Sequence, residues 1–230
     1  MSRLLISVAS ADEAHLALTY GAEIIDGKDA AAGPLAALPE ATLREIVARV
    51  AGRVPVSATV GDWPADPPIL LRAAERIAAT GVDWVKIGLY PGGDWAACLH
   101  ALTPFAQCHA LVVLLFADRT PDPASFIPEI AAAGCRGVML DTADKQAGGL
   151  RNHIDDRKLA CFIAAARQHG LQCGLAGSLS VDDAAALAKL GADVLGFRGA
   201  ACQGGTRAAT LCTERVVALR EALDETLPAT

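Results

Sequence analysis

Along the whole chain, short apolar runs of strand length alternate with longer stretches that are rich in Ala and Leu and have helical period. The strand-like runs are residues 4–8, 23–26, 54–60, 84–88, 110–116, 137–141, 172–176 and 194–198. The helical stretches are residues 11–20, 40–50, 68–80, 94–102, 125–133, 157–169, 181–190 and 207–223. Strands that alternate with helices form a parallel sheet, because each helix returns the chain to the same edge. Eight such units predict a single closed (β/α)8 TIM barrel.

The length and evenness of the chain favour this barrel over a doubly wound open sheet. The chain has 230 residues, near the roughly 250 typical of the barrel, and no linker or change of composition divides it. No G-x-G-x-x-G follows the first strand-like run, where an open dinucleotide-binding sheet would carry it. We therefore expect one domain over residues 1–230.

Composition argues against several classes of partner and cofactor. The net charge is -6 and no run of Lys or Arg occurs, so we expect neither nucleic acid nor a membrane as partner. The most apolar run, residues 110–117, is too short to span a bilayer, and the first residues lack the apolar region of a signal peptide. The seven Cys form no C-x-x-C pair and the His lack metal-ligand spacing, which predicts no metal and no cofactor. These features predict a reduced, cytoplasmic protein, with assembly into a homo-oligomer left open.

Lysine is scarce in this chain and lies at the ends of strand-like runs. Five of the twenty basic residues are Lys, and Lys28, Lys86 and Lys145 occupy such ends. Asp26 and Asp141 fall there as well, and the C-terminal ends of barrel strands carry the active site. Alternation along a strand puts Asp26 and Lys28 on one face, and a helical turn after Asp141 would bring Lys145 back over that carboxylate. We predict that these five side chains form one catalytic group.

Three amines and two carboxylates around one mouth suit Schiff-base chemistry. Desolvation and neighbouring cations lower the pKa of an amine until it can attack a carbonyl. The resulting iminium acidifies the adjacent carbon, so that an enamine forms and makes a carbon–carbon bond while an Asp or Lys moves protons. This is the chemistry of a class I aldolase. The structural alternative is a set of buried ion pairs, and the cost of burying charge without a use favours the catalytic interpretation.

The last quarter of the chain has features of a phosphate site. In many barrels the loops after strands seven and eight present backbone N–H groups to a phosphate. Residues 175–179 and 196–201 occupy those positions, with glycines that permit close approach. A small phosphosugar is the predicted substrate. The predicted phosphate- and substrate-binding residues are Gly177, Ser178, Arg198 and Gly199, with Gly204, Gly205 and Arg207 available to close the pocket.

Together these motifs resemble a known family. They look like (5-formylfuran-3-yl)methyl phosphate synthase, also called 4-(hydroxymethyl)-2-furancarboxaldehyde-phosphate synthase. The resemblance implies a class I aldolase-like barrel lyase that joins two glyceraldehyde 3-phosphate molecules, with loss of phosphate and water, into the furan precursor of methanofuran, a cofactor of one-carbon metabolism. It runs in order over nearly the whole chain. The matching segments are Asp26-Gly27-Lys28 with Gly33-Pro34-Leu35, residues 85–90, residues 140–143 with Lys145, residues 175–179 and residues 196–202.

The resemblance also implies roles for the charged residues. Lys28 would be the Schiff-base lysine and Asp26 its orienting or proton-transferring partner, while Lys86, Asp141 and Lys145 would supply acid–base chemistry and phosphate contacts. Lys145 remains a rival for the covalent role, because several class I aldolases carry their nucleophile at strand six. Three other functions stay open. They are a different Schiff-base aldolase or transaldolase on phosphosugars, a metal-dependent barrel enzyme, and a non-catalytic phosphosugar-binding regulator. The metal-dependent enzyme would need His and carboxylates clustered at strand ends, which the sequence does not show.

Overall fold

The computed structural model describes residues 2–225, which form a closed barrel of parallel strands. Each strand pairs with the next in the sequence, and the last pairs with the first. The predicted (β/α)8 barrel is therefore confirmed. The strands are β1 (Arg3–Val8), β2 (Ile24–Gly27), β3 (Val56–Thr59), β4 (Trp84–Leu89), β5 (Ala110–Phe116), β6 (Gly137–Asp141), β7 (Gln172–Leu175) and β8 (Val194–Phe197).

Helices surround the barrel and follow the predicted stretches in order. Three segments differ from the prediction: the stretch 125–133 opens with a 3-10 turn, a short extra helix lies in the loop after β6, and the last helix begins late. No helix within residues 2–225 is long and apolar enough to cross a membrane. The helices are α1 (Ala11–Thr19), α2 (Glu40–Val50), α3 (Pro67–Ala78), α4 (Trp95–Cys108), α5 (Ile127–Ala132), α6 (Leu150–His153), α7 (Asp156–Gln168), α8 (Val181–Lys189) and α9 (Thr213–Asp224).

The last helix begins later than the sequence predicts. The helical pattern covers residues 207–223, whereas α9 begins at Thr213. In the segment before it, Leu211 forms an antiparallel bridge with Cys202, and the Arg198 guanidinium binds two backbone carbonyl groups. Those carbonyls are thereby withdrawn from helical hydrogen bonding. The helix prediction is wrong for residues 207–212, since periodicity does not register such long-range contacts.

Apolar side chains fill the barrel interior below its mouth. The interior cluster includes Leu5, Ile24, Leu114, Met139 and Val194, all nearly inaccessible to solvent. A larger apolar shell lies between the strands and the helices. The alternation of side chains along each strand separates these two layers. Polar side chains on the same inward faces, nearer the C-terminal ends, are therefore gathered above an apolar floor.

The loop after β2 turns inward across the barrel mouth. Leu35 from this loop is 1% exposed and joins the interior apolar cluster. It occupies the space beside Gly88, where an added Cβ would lie 2.0 Å from the Leu35 Cδ1 atom. The aromatic rings of Phe116 and Tyr90 stack next to it with centroids 4.4 Å apart. One side of the mouth is thus filled, and the remaining opening lies towards β1, β6, β7 and β8.

Candidate active site

The predicted catalytic and phosphate-binding residues line one cavity at the C-terminal ends of the strands. The cavity has a volume of about 490 Å³ and opens between the loops that follow β6, β7 and β8. Its floor is formed by interior side chains such as Leu5 and Met139. The sequence-predicted residues that line it are Asp26, Lys28, Lys86, Asp141, Lys145, Gly177, Ser178, Arg198 and Gly199, together with Gly205 and Arg207.

Asp26 and Lys86 form a buried ion pair on the cavity floor. The Lys86 Nζ atom lies 2.5 Å from Asp26 Oδ1, and the two residues are 3% and 1% exposed. The hydroxyl groups of Ser7 and Ser57 also donate to the Asp26 carboxylate, at 2.9 and 2.6 Å. Burial raises the pKa of Asp26, but the charges of Lys86 and Lys28 outweigh it, so the pKa lies below its ordinary value. Burial lowers the pKa of Lys86 despite the attraction of Asp26.

Asp141, at the end of β6, binds the other two amines. The Lys145 ammonium group donates to Asp141 Oδ1 and to Thr142 Oγ1, while Lys28 Nζ lies 4.0 Å from Asp141 Oδ2. Burial raises the pKa of Asp141, yet Lys145 and Lys28 lower it further than burial raises it. Burial and the charge of Lys28 lower the pKa of Lys145, against the attraction of Asp141. Lys145 thus returns to its carboxylate as predicted, but residues 142–149 form bends and not the helical turn that the prediction assumed.

Asp118, which the sequence did not single out, shapes the loop that carries Lys145. Its carboxylate accepts the backbone N–H groups of Ala143 and Asp144 at 2.7 and 2.9 Å. The Asp118 side chain is 6% exposed. Burial raises its pKa, but those two hydrogen bonds lower it more, so the carboxylate is held ionised. The sequence around Asp118, in the turn after β5, does not indicate this contact, because the donor and the acceptor are 25 residues apart.

The loops after β7 and β8 present unpaired N–H groups to the cavity. Gly177 and Ser178 have φ angles of 106° and 48°, which turn the chain sharply at the end of β7. Among the hydrogen bonds of residues 2–225, none uses the backbone N–H groups of Gly177, Ser178, Gly199 or Ala200. Unpaired N–H groups at two adjacent loops are the kind of backbone donors that can bind an anion. We call these four residues the N–H rim.

Arg198 is placed differently from the prediction that it binds substrate. Its guanidinium forms a partly buried ion pair with Glu13, at 2.5 Å, and also donates to the Ser7 carbonyl. Its remaining N–H groups bind the carbonyls of Arg207 and Ala209, each at 2.9 Å. All five N–H donors of the side chain are therefore engaged within the protein. In this arrangement the Arg198 guanidinium has no donor left for a phosphate.

Two other arginines bring positive charge to the rim. Arg207 and Arg215 both line the cavity and are half-buried. Arg207 donates one hydrogen bond, to the Gly33 carbonyl at 3.1 Å, and Arg215 makes a 3.4 Å contact with the Ala200 carbonyl. Arg215 lies in the first turn of α9 and was missed by sequence reasoning, since a charged residue in an amphipathic helix normally indicates a solvated face. Its position depends on the late start of that helix.

Within the described part of the chain, His, Cys, Asp and Glu side chains form no group of three or more that could hold a metal ion. The polar groups of the cavity include amines, guanidinium groups, two carboxylates, serine hydroxyl groups and backbone N–H groups. Such a set can bind an anion, form an imine with a carbonyl and transfer protons.

Solved structures with this fold include a 3-hexulose-6-phosphate synthase and a phosphoribosyl anthranilate isomerase. A 3-hexulose-6-phosphate synthase is 23% identical and superposes with a TM-score of 0.64, covering 96% of this chain and 99% of that one. Phosphoribosyl anthranilate isomerase from Thermus thermophilus is 16% identical with a TM-score of 0.66, covering 97% and 98% of the two chains. At these identities the likeness concerns the fold alone.

Sequence relatives are closer. The (5-formylfuran-3-yl)methyl phosphate synthase of Methanopyrus kandleri is 39% identical over 217 residues, or 89% of this chain and 91% of that protein. A protein of Methylorubrum extorquens that provisionally bears the same name is 44% identical over 223 residues, or 96% and 91% of the two chains. A family model described as 4-HFC-P synthase matches residues 4–220. By this match and these identities, the chain belongs to the 4-HFC-P synthase family of enzymes.

Proposed function

We propose that this enzyme converts two molecules of glyceraldehyde 3-phosphate into (5-formylfuran-3-yl)methyl phosphate through a Schiff base on Lys28, for the biosynthesis of a methanofuran-type cofactor. The observation that carries the proposal is the placement of three Lys, two Asp and the N–H rim in one cavity. The names of the relatives support the product. We propose a cytoplasmic location, where triose phosphates are formed and consumed.

Lys28 is the amine best placed to attack a carbonyl. Lys86 and Lys145 each form a close ion pair with a carboxylate, whereas the nearest carboxylate oxygen to Lys28 Nζ is 4.0 Å away. Lys28 is also 8% exposed and lines the cavity, so a bound aldehyde can reach it. The backbone N–H group of Lys28 donates a hydrogen bond to the Val8 carbonyl at 3.1 Å, which fixes the backbone from which the side chain extends. A fixed, weakly paired amine loses little on leaving its partner to form a covalent bond.

The proposed reaction balances without a redox partner. The amine of Lys28 adds to the carbonyl of one triose phosphate, directly or after isomerisation to the ketone, and water leaves as the iminium forms. Loss of a proton from the adjacent carbon gives an enamine, whose carbon attacks the aldehyde of the second triose phosphate. Elimination of one phosphate, ring closure and dehydration, with hydrolysis of the imine, complete the furan. Overall, two triose phosphates give the product, one phosphate and two waters.

Each proton transfer has a candidate group beside Lys28. The lowered pKa of Lys145 and of Lys86 makes both amines more ready to give up a proton than a solvated lysine. Asp26 and Asp141, ionised at neutral pH, can accept protons or stabilise the iminium. The N–H rim and the two cavity arginines would hold a phosphate that departs or remains.

Borohydride trapping with glyceraldehyde 3-phosphate, followed by peptide mass spectrometry, tests the covalent role. We expect the adduct on Lys28, and we expect Lys28→Arg to lose both adduct and furan absorbance while remaining folded, because charge is kept and nucleophilicity is lost. Lys158→Arg and Lys189→Arg, on outer helices, serve as controls with unchanged activity. An adduct on Lys145 would transfer the covalent role to that residue. An adduct with an open-chain product would indicate a different aldolase.

A further inference from the structure

Arg207 connects two parts of the active-site mouth that are distant in sequence. It belongs to the loop between β8 and α9 and lines the cavity. Its backbone lies beside the N–H rim, because an added Cβ at Gly199 would be 3.9 Å from Arg207 N and Cβ. Its Nη2 atom donates to the carbonyl of Gly33, in the loop that follows Lys28. No other hydrogen bond joins residues 198–207 to that loop in the part of the chain that the structure describes.

The backbone of Arg207 is held in place by the Arg198 side chain. The Arg198 Nε–H group donates to the Arg207 carbonyl at 2.9 Å, and Arg198 is itself paired with Glu13. Glu13 in turn accepts the Leu211 N–H group at 3.3 Å, which holds the far end of the same loop. Arg207 therefore has an anchored backbone and a guanidinium whose Nε–H and Nη1–H groups make no hydrogen bond within residues 2–225.

The loop that receives this contact is attached to the barrel through few groups. Asp29 N–H bonds to the Ala36 carbonyl at 2.9 Å, which makes residues 29–36 a closed turn. Leu35 inserts into the mouth, and the Thr59 hydroxyl makes a 3.4 Å contact with the Ala36 carbonyl. Lys28 begins this loop. Any tightening of the turn against the rim therefore acts directly on the residue next to the reactive amine.

We propose that Arg207 is a positioning residue that couples anion binding at the N–H rim to the placement of Lys28. A phosphate on the rim accepts hydrogen bonds from the free N–H groups of Arg207. The guanidinium, oriented in this way, holds the Gly33 carbonyl and closes the turn of residues 29–36 over the cavity. The anion of the substrate thus contributes to imine formation as well as to binding. The second half of this inference, the effect on Lys28, rests on the proposed function, whereas the closure of the turn does not.

Hydrogen–deuterium exchange with inorganic phosphate as the probe tests the closure. We expect saturating phosphate to slow amide exchange in a peptide covering residues 28–38 by at least about threefold in the wild type. Arg207→Gln removes the effect, whereas Arg157→Gln, an exposed α7 position outside the cavity, retains it. Should Arg207→Gln fail to fold, Arg207→Lys keeps the charge and is expected to lose the slowing as well. Equal exchange with and without phosphate in the wild type, or equal slowing in the Arg207 variants, overturns the proposal.

Borohydride trapping with unphosphorylated glyceraldehyde tests the link to Lys28. Phosphite dianion, added to stand in for the phosphate group that glyceraldehyde lacks, is expected to speed adduct formation at least about tenfold in the wild type. We expect no such increase in Arg207→Gln. A glyceraldehyde adduct that forms at the same rate with and without phosphite overturns the link. Absence of any adduct with glyceraldehyde 3-phosphate refutes the proposed function instead, and the exchange experiment still decides whether Arg207 couples the two loops.

Discussion

Replacing Lys86 by Met tests whether the buried charges of the cavity floor are held by their mutual attraction. Asp26 and Lys86 are 1% and 3% exposed, and their charged atoms are 2.5 Å apart. Removing one member of such a pair leaves a buried charge, which typically costs about 3–5 kcal/mol of unfolding free energy. Total stabilities of about 5–15 kcal/mol are usual, so the variant should remain folded and measurable. The Ser7 and Ser57 hydroxyls and the more distant Lys28 offset part of the loss.

The cost should depend on pH, with a sign that follows from linkage. In the wild type the pKa of Asp26 lies below its ordinary 3.8, so its ionised form adds stability above that value, and the stability is lost as the pH falls through the folded pKa. In the variant Lys86 no longer opposes burial, so we expect the pKa of Asp26 to rise above its ordinary value and the carboxylate to oppose folding once it ionises. The penalty therefore grows by about 1.4 kcal/mol per pH unit above pH 4 until Asp26 is ionised in the folded variant. Burial also lowers the pKa of Lys86 in the wild type. Release of its proton in the folded state would make the wild type more stable as the pH rises, and so would increase the penalty of the variant further.

Urea unfolding followed by circular dichroism at about pH 5 and about pH 8 measures this difference. Asp26→Asn combined with Lys86→Met removes both charges, and we expect the double variant to be more stable than Lys86→Met at the higher pH. A Lys86→Met penalty that is the same at both pH values would show that loss of Lys86 does not raise the pKa of Asp26. A double variant that loses the sum of the single losses would contradict the pairing itself.

Two further predictions concern the loops that frame the cavity. Asp118→Ala leaves two loop N–H groups without acceptors, so we expect the free energy of unfolding in urea to fall by about 1–3 kcal/mol. Because this loop carries Lys145, we also expect kcat to fall at least about tenfold. An unchanged kcat in a destabilised variant would refute the positioning role of Asp118. Gly88→Ala places a Cβ 2.0 Å from Leu35 Cδ1, and overpacking of this kind costs about 1–3 kcal/mol. In a Leu35→Ala background the Gly88→Ala penalty should shrink, and an additive double variant would show that Leu35 does not occupy this space.

The repeated pattern of the chain was sufficient to predict the barrel and the direction in which its charged residues point. Period and length are local properties, and the alternation of β and α units leaves few topologies. Once the barrel was assumed, the ends of β2, β4 and β6 had to meet at one mouth, so Asp26, Lys86 and Asp141 could be grouped in advance. The glycines after β7 and β8 likewise marked a rim of backbone N–H groups. These predictions need only knowledge of which end of each strand a residue occupies.

The tertiary structure decided which of these groups is free to act. Arg198 and Arg207 are the same residue type, yet the donors of Arg198 bind Glu13, 185 residues away, and backbone carbonyl groups, whereas Arg207 lines the cavity with unused donors. Lys28 and Lys145 both approach Asp141, but Lys145 forms a close ion pair with it and also donates to Thr142, whereas Lys28 lies 4.0 Å away. The physical reason is that each side chain has a small, fixed number of N–H donors. Which acceptors those donors bind depends on the groups that folding brings together. The sequence thus determined the barrel and the position of its mouth, and the assignment of free and occupied donors within that mouth came only from the folded chain.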